Sequence, residues 1–320
     1  MDTRLTTIHG LSATSVWRTV AALLVTVVLV AMLGATSVTA ASPTACRVQN
    51  AATGKTYAAL QAAVDAASRG DRLTVMGTCI GGTVIDRNLI IVGVLGQAPG
   101  TATLSGAGKT RVVIVQKGVR VVMRDLVIRG GKVTHGQYDE DRKGGAGVRS
   151  QGTLTLSDVV VRGNSATPWG DGGGIYNAGR LTLDGSTSIT GNTAEWGGGL
   201  YNHEGATLVM NDASRISRNT STNNAGGVAN YMGTLVMNDA SRISRNTATR
   251  LGGGVSVQGG TLVMNDASRI SGNTVTEGRG GGVFRLGATL RGVVCAPRRG
   301  ANVIGNDPDE CHTERPISSR

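Results

Sequence analysis

Hydrophobic and polar positions recur along this chain with a period of 27 residues. The segment TLVMNDASRIS at 207–217 returns unchanged at 234–244 and at 261–271, and diverged copies keep the same register outside it. A period of this length indicates a repeat architecture. Three rows of positions follow it: the leucines Leu154, Leu181, Leu208, Leu235 and Leu262, the β-branched residues Val161, Ile189, Ile216, Ile243 and Ile270, and the asparagines Asn164, Asn192, Asn219, Asn246 and Asn273.

Each repeat predicts three short strands separated by turns, and the ranges 175–177, 181–183 and 188–190 form one such set. Strands this short cannot bury a hydrophobic face alone. Stacked coils can, because each strand then pairs in parallel with its copy in the next coil, about 4.8 Å away. We expect the asparagines to occupy turns, with a left-handed backbone, and to hydrogen-bond along the stack. Glycine clusters such as 172–174 suit sharp corners.

Two other repeat folds fit the pattern less well. A leucine-rich repeat needs a helical half that this period lacks, and a β-propeller needs four strands and a longer repeat. Overall composition points the same way. The 320 residues include 49 glycines, one phenylalanine and 17% charged residues. The glycines do not recur every third residue, which excludes collagen, and 40% hydrophobic residues oppose disorder.

The succession of G-G-G-[IL]-Y-N, a T-L strand and I-x-x-N resembles the right-handed parallel β-helices of the pectate-lyase-like superfamily. It is most similar to the polymorphic outer-membrane-protein repeat, G-G-x-[IVL] with F-x-x-N, although Ile or Val stands here in place of that Phe. The resemblance covers residues 73–306. It implies an all-β, single-stranded right-handed parallel β-helix, a solenoid of about 27-residue, three-strand coils.

The sequence before and after the coils predicts two caps and an export signal. Arg4 and Arg18, the apolar run 20–33 and the small residues before Ala40 predict a signal peptide over 1–40. An uncleaved anchor is the alternative, and only that case implies contact with a membrane. Residues 41–72 predict an N-terminal cap with a short helix at about 56–68, and residues 307–320 a C-terminal cap with a loose tail. We therefore expect a secreted or cell-surface protein.

Four cysteines lie in the exported part of the chain, two near each end: Cys46, Cys79, Cys295 and Cys311. In an oxidising compartment they predict disulfides, for which three connectivities exist. We favour Cys46 with Cys79 and Cys295 with Cys311, because each pair then ties down one end. Metal binding is the weaker alternative, since no C-x-x-C or Cys/His cluster is present.

Charge indicates the class of partner. The formal net charge is +11, and arginine supplies 27 of the 32 cationic residues. An exported basic solenoid favours anionic polymers, and we expect an extracellular or cell-wall polysaccharide as partner. We expect no nucleic acid, because no reading module and no aromatic–basic interleaving accompany the charge. We expect a monomer.

Catalytic motifs of the superfamily are not found in the chain. Its lyases use clustered aspartates that bind calcium, with an Arg or Lys base, and its hydrolases use an aspartate trio with G-H-G. The aspartates Asp212, Asp239 and Asp266 share one coil position and are low-ranked catalytic or calcium-binding candidates. Each is followed three residues later by an arginine that would neutralise it. We expect no cofactor.

Scarce aromatic residues cluster in two adjacent repeats. Trp169 and Trp196 are 27 residues apart, and Tyr176 and Tyr201 follow two glycine corners. If the residues before the tyrosines point inward, strand alternation turns both rings outward, as a platform for sugar faces. The loop at 129–144, including His135, would project near the same edge. The predicted ligand-binding residues are Trp169, Asp171, Tyr176, Glu195, Trp196, Tyr201 and His203.

These observations favour an exported, non-catalytic β-helix that acts as a structural, adhesive or glycan-binding surface module. The alternative is a pectate-lyase-like polysaccharide lyase or glycoside hydrolase.

Overall fold

The computed structural model describes residues 45–94, 102–134, 144–296 and 300–314, all within one compact unit, Pro43–Arg320. The predicted signal peptide, residues 135–143 of the 129–144 loop with His135, and residues 315–320 of the tail lie outside the described residues. Within those ranges, no helix is both long enough and apolar enough to cross a membrane.

The chain forms a parallel β-solenoid, and the 27-residue period is its coil. Leu208 pairs with Leu235, and Leu235 with Leu262, in the register that the period predicts. The same holds for Ile216, Ile243 and Ile270, and all these side chains are fully buried. The inward rows of Leu, Ile and Val therefore stack into one continuous hydrophobic core along the solenoid.

Four sheets run along the stack, and we name three of them after a residue that they carry. Over the ranges described, the leucine sheet contains, in spatial order, Thr56–Tyr57, Arg47–Asn50, Arg72–Met76, Leu89–Gly93, Arg120–Arg124, Thr153–Ser157, Arg180–Asp184, Thr207–Met210, Thr234–Met237, Thr261–Met264 and Thr289–Arg291. The isoleucine sheet contains Val303–Ile304, Arg269–Ser271, Arg242–Ser244, Arg215–Ser217, Ser188–Thr190, Val160–Arg162, Val127–Arg129, Thr103–Ser105 and Thr78–Ile80.

The tyrosine sheet contains Cys311–Glu314, Val283–Leu286, Val255–Gln258, Val228–Tyr231, Leu200–Asn202, Ile175–Asn177, Val148–Ser150, Val113–Val115 and Thr83–Ile85. The fourth and smallest sheet contains Ser165–Asp171, Thr193–Trp196, Thr220–Asn224, Thr247–Ala248 and Thr274–Val275. It begins directly after the asparagine turn, so five coils have a fourth strand where three per coil were predicted. Threonines at the start of these strands pair in register.

Both ends differ in detail from the sequence prediction. Thr56–Tyr57 is a strand, paired antiparallel with Arg47–Asn50, because its backbone hydrogen bonds go to that neighbour rather than into a helical turn. The helix that follows, α1, is limited to Leu60–Ala66 instead of 56–68. At the other end, Cys311–Glu314 pairs in parallel with Val283–Leu286, so the stack continues beyond residue 306. Both favoured disulfides, Cys46–Cys79 and Cys295–Cys311, are present.

The asparagine row forms a buried hydrogen-bond ladder, as predicted. In each rung the side-chain Nδ2 donates to the Oδ1 of the asparagine one coil later, at 2.9–3.0 Å. That Oδ1 also accepts the backbone N–H of the earlier asparagine. The predicted left-handed backbone belongs instead to the preceding residue, as at Gly191, Arg218 and Arg245, with φ of 61°, 54° and 56°.

Three inward serines, one per identical repeat, provide a stability prediction. The Oγ atoms of Ser214, Ser241 and Ser268 are buried without a hydrogen-bond partner among the described residues. Thr187, at the same coil position, donates instead to the carbonyl oxygen of Asp184 at 2.7 Å. Removing a buried unpaired hydroxyl relieves a desolvation cost, so Ser241→Ala should raise the free energy of unfolding by about 1 kcal/mol.

Chemical denaturation measures this effect, and Thr187→Ala is the matched control. That substitution removes a satisfied hydroxyl, which also accepts the backbone N–H of Val159 at 3.3 Å, and should lower stability by about 1–2 kcal/mol. Equal destabilisation by the two alanines would show that Ser241 has a hydrogen-bond partner after all.

Candidate functional site

The three aspartates of the predicted row lie in turns, and their carboxylates accept hydrogen bonds from the backbone. Asp212, Asp239 and Asp266 are exposed, with φ of 54°, 52° and 53°, a left-handed conformation that aspartate tolerates better than most residues. Their carboxylates accept the backbone N–H groups of Gly185, Asp212 and Asp239 in the preceding coil, at 2.8, 3.0 and 3.2 Å. Each carboxylate therefore ties one turn to the next, which accounts for the row without catalysis.

Metal-ligating side chains do not gather in the part of the chain that the structure describes. No group of three or more His, Cys, Asp or Glu residues there is placed to hold a metal ion. The arginines that follow the aspartates also form no ion pair with them in this part of the chain. The neutralisation expected between the two rows is therefore not seen as direct contact, and the arginines have no described acidic partner.

The two tyrosines of the predicted sugar site contact each other. Tyr176 and Tyr201 pair in register, and their rings stack with centroids 5.4 Å apart and planes 2° from parallel. The guanidinium carbon of Arg149 lies 5.6 Å from the centroid of Tyr176, and the ring of His203 lies 5.8 Å from it. Ring faces engaged in this way are not open for stacking on a sugar.

Tyr201 alternates outward in its strand but is buried, with 9% of its surface exposed. Burial raises the pKa of its hydroxyl, and the charge of Asp171 raises the pKa further, so the group is neutral at physiological pH. Trp196 packs with Tyr176 against the small cluster of Tyr201, Ala225 and Ala229. The outward ring of Tyr201 was expected to be exposed, but Ala225 and Ala229 of the following coil cover it.

The two tryptophans do not occupy equivalent positions, although 27 residues separate them. Ala166 pairs with Ala194, and the next pairing joins Asp171 to Trp196, so an irregular segment shifts the register between them. Trp169 lies in that segment and is 53% exposed. Glu195 is half-buried and accepts a hydrogen bond from Nδ2 of Asn223 at 3.4 Å. The structure thus brings together Asp171, Tyr176, Trp196, Tyr201 and His203, while Trp169 offers the open ring.

A second surface, which we call the arginine groove, runs along the outer face of the isoleucine sheet. Its cavity has a volume of about 790 Å³. It is defined by the arginines Arg215, Arg218, Arg242 and Arg245 and the small polar residues Ser188, Thr190, Ser217, Ser244 and Ser271, together with Ala213, Ala240, Gly272, Ile304 and Gly305.

The register of the isoleucine sheet arranges these side chains in rows. Arg215 pairs with Arg242, and Arg242 with Arg269, so one row of arginines has one member per coil. A parallel row of hydroxyls runs from Thr190 through the serine two residues after each of these arginines. Inward isoleucines separate the two rows in sequence, so both rows face outward.

Arg218 and Arg245 form the second arginine row, at the corner where the isoleucine sheet ends. Their φ values of 54° and 56° lie in the left-handed region, which costs a residue with a Cβ roughly 1–2 kcal/mol. Other coils place glycine at this position, as at Gly191 and Gly272, both with φ of 61°. The two arginines therefore occupy a position where glycine is conformationally better.

The charges of the groove are not neutralised by any acidic side chain in the ranges that the structure describes. None of the four lining arginines has an ion-pair partner in the residues that the structure describes, and the lining contains no acidic residue. All four are exposed. Like charges at neighbouring coil positions repel one another, and an anion lying between them would relieve that repulsion.

Sequence reasoning missed this groove because it assigned the first arginine row to the aspartates and did not consider the second. The signal was present in the repeat R-I-S-R-N, which places arginines at both ends of a three-residue strand. Compared with known proteins, the chain matches no family model, no curated protein and no solved structure.

Proposed function

We propose that this protein is an exported, non-catalytic, right-handed β-helix that binds an acidic polysaccharide in the arginine groove. A kinship with the pectate-lyase-like superfamily and its polymorphic outer-membrane-protein-type repeats is part of the proposal, supported by the parallel solenoid and by the repeat motif. Two disulfides support an oxidising, extracellular location. Helix α1 buries Leu60, Ala63 and Val64 in the core, which supports its role as the N-terminal cap.

The observation that carries the proposal is the pair of arginine rows, which have no acidic partner among the described residues. A guanidinium group offers a planar fork of donors that matches a carboxylate or sulfate, and arginine is favoured where such groups are recognised. The serine and threonine hydroxyls between the rows supply donors and acceptors for sugar hydroxyls. The groove lining has no aromatic ring, so the stacking that single-stranded nucleic acids use is lacking there.

Paired cellulose derivatives test this function. We expect the secreted protein to bind carboxymethyl cellulose and to bind neutral hydroxyethyl cellulose much more weakly. Raising the salt concentration should weaken the binding, because screening acts on exposed charges. Arg215→Gln together with Arg242→Gln should weaken it at least about tenfold, since two charge-assisted contacts are lost. Affinity electrophoresis measures all three comparisons.

The double substitution of Arg120→Gln with Arg124→Gln provides the control, because both arginines are exposed on the leucine sheet, outside the groove. It changes the net charge but should leave binding almost unchanged. Equal losses of affinity in the groove variant and the control would show that overall charge, and not the groove, determines binding. Release of reducing ends or unsaturated sugars from the polymer, abolished by Asp239→Ala in a folded protein, would establish the enzymatic alternative instead.

A further inference from the structure

We infer that the arginine groove holds its ligand parallel to the stack axis and that the corner arginines Arg218 and Arg245 determine the length of chain that it recognises. This inference rests on the proposed function, because it concerns the same groove and the same class of ligand. It adds the orientation of the ligand, the spacing of its anionic groups and the residues that set its length.

The orientation follows from the register of the isoleucine sheet. Residues paired across parallel strands lie about 4.8 Å apart along the stack, so each arginine row presents one cation at that interval. This interval is close to the length of one sugar ring in an extended β-linked chain. A polysaccharide aligned with the axis can therefore place one ring beside each coil, whereas a chain lying across the groove would meet a single coil.

The backbone conformation of Arg218 and Arg245 indicates that these arginines serve ligand contact rather than stability. Glycine at this position adopts the same φ as the arginines, and Gly191 and Gly272 show that the coil forms with it. The arginines therefore place a long cationic side chain on the rim where a residue without a Cβ fits the backbone better. Both line the groove, and the serine of the hydroxyl row lies between the two arginines of each coil in sequence.

The corner row covers two coils and ends at Gly272, which itself lines the groove. The identical repeats differ at this position: two continue R-I-S-R-N, and the third reads R-I-S-G-N. The coil of Gly272 therefore has one arginine, Arg269, where each of the two preceding coils has two, and the coil after it has Asn302 and Gly305 at these positions. We infer that full contact with the ligand stops at this coil, so rings beyond it add little to affinity.

Oligoglucuronates from dimer to octamer test the inference by calorimetry, with cello-oligosaccharides of the same lengths as neutral controls. Affinity should rise with chain length and then level off. Gly272→Arg adds a corner arginine and should move the point of levelling about one ring further, with about fivefold tighter binding of the longer chains. The slope of log affinity against log salt should steepen by roughly one unit.

Arg245→Gly is the reciprocal variant, and it separates ligand contact from a structural role. It should bind oligoglucuronates about fivefold more weakly and with a shallower salt slope. At the same time its melting temperature should rise by about 2–4 °C, because glycine removes the cost of the left-handed backbone. A residue kept for structure alone would not lose binding while gaining stability.

The outcomes distinguish the inference from the proposed function. If no oligoglucuronate and no carboxymethyl cellulose binds, both are wrong. If the wild-type protein binds acidic chains, but affinity ignores their length or neither corner variant changes it, the axial alignment is wrong and the proposed function stands. Tighter binding of single-stranded oligonucleotides of matched charge would replace the polysaccharide with a nucleic acid and overturn the inference.

Discussion

Replacing Asn219 by alanine should lower the free energy of unfolding by about 3–4 kcal/mol, because the ladder loses an interior rung. The Asn219 Nδ2 donates to the carbonyl oxygen of Ile189 and to Oδ1 of Asn246, both at 3.0 Å. Its Oδ1 accepts the backbone N–H and the Nδ2 of Asn192, again at 3.0 Å. Alanine satisfies none of these groups, and the backbone N–H of Asn192, a fully buried residue, loses its partner.

Asn219→Asp tests the chemistry of the rung at nearly constant volume. An aspartate still accepts hydrogen bonds but cannot donate to Ile189 or Asn246, so we expect a loss close to that of alanine. Asn265→Ala is the control, since Asn265 is exposed and ends a different asparagine row, with one bond to Oδ1 of Asn238 at 2.8 Å. It should cost about 1 kcal/mol or less. Equal midpoints for the Asn219 and Asn265 variants in urea would contradict the ladder.

The repeat predicts the solenoid and its register, because a shift of one residue in the strand pairing would move every core side chain to the outer face. Leucines, isoleucines and asparagines recur at 27-residue steps, and each set can be buried only if every coil lies directly on the previous one. The observed pairing of Leu208 with Leu235 and the bonding of Asn219 to Asn246 are direct consequences. Both disulfides also follow from the position of the cysteines at the two ends of this stack.

The sequence did not predict features that depend on how one coil covers another. Tyr201 alternates outward in its strand, yet the following coil buries it. Trp169 has the spacing of a stacked residue, yet the register shift between Ala166 and Asp171 removes it from the row of Trp196. Local pattern fixes which residues alternate within a strand. The path of the loops and the width of the next coil decide which of them reach solvent.

The arginine groove was not predicted from the sequence for a different reason. The charge of +11 indicated an anionic polymer, but the position of the charge depends on which corner each arginine occupies. Arg218 stands at a left-handed position where other coils have glycine, and this became visible only with the backbone angles. In the sequence, the substitution of Arg for Gly between coils looked like ordinary divergence.

The second large expected effect concerns a glycine at a corner of the coil. Gly254→Ala should lower the free energy of unfolding by about 3 kcal/mol. A Cβ at this position would lie 2.6 Å from the carbonyl oxygen of Gly282, 2.8 Å from Nδ2 of Asn273 and 2.8 Å from Cγ2 of Ile270. The backbone oxygen cannot rotate away, and moving Asn273 would disturb the ladder. Overpacking of this kind usually costs about 1–3 kcal/mol, with more expected where backbone must shift.

Gly191→Arg separates this contact effect from the general cost of replacing a glycine. Gly191 has a φ of 61°, and a Cβ there would meet no heavy atom within 4 Å. Arg218 and Arg245 already occupy the same coil position, so a loss of about 1–2 kcal/mol from the left-handed backbone is the whole expected effect. Thermal and urea unfolding of the two variants measure the difference. If the much larger arginine destabilises the protein more than the single methyl group at Gly254, close approach of adjacent coils is not what requires glycine at the corners.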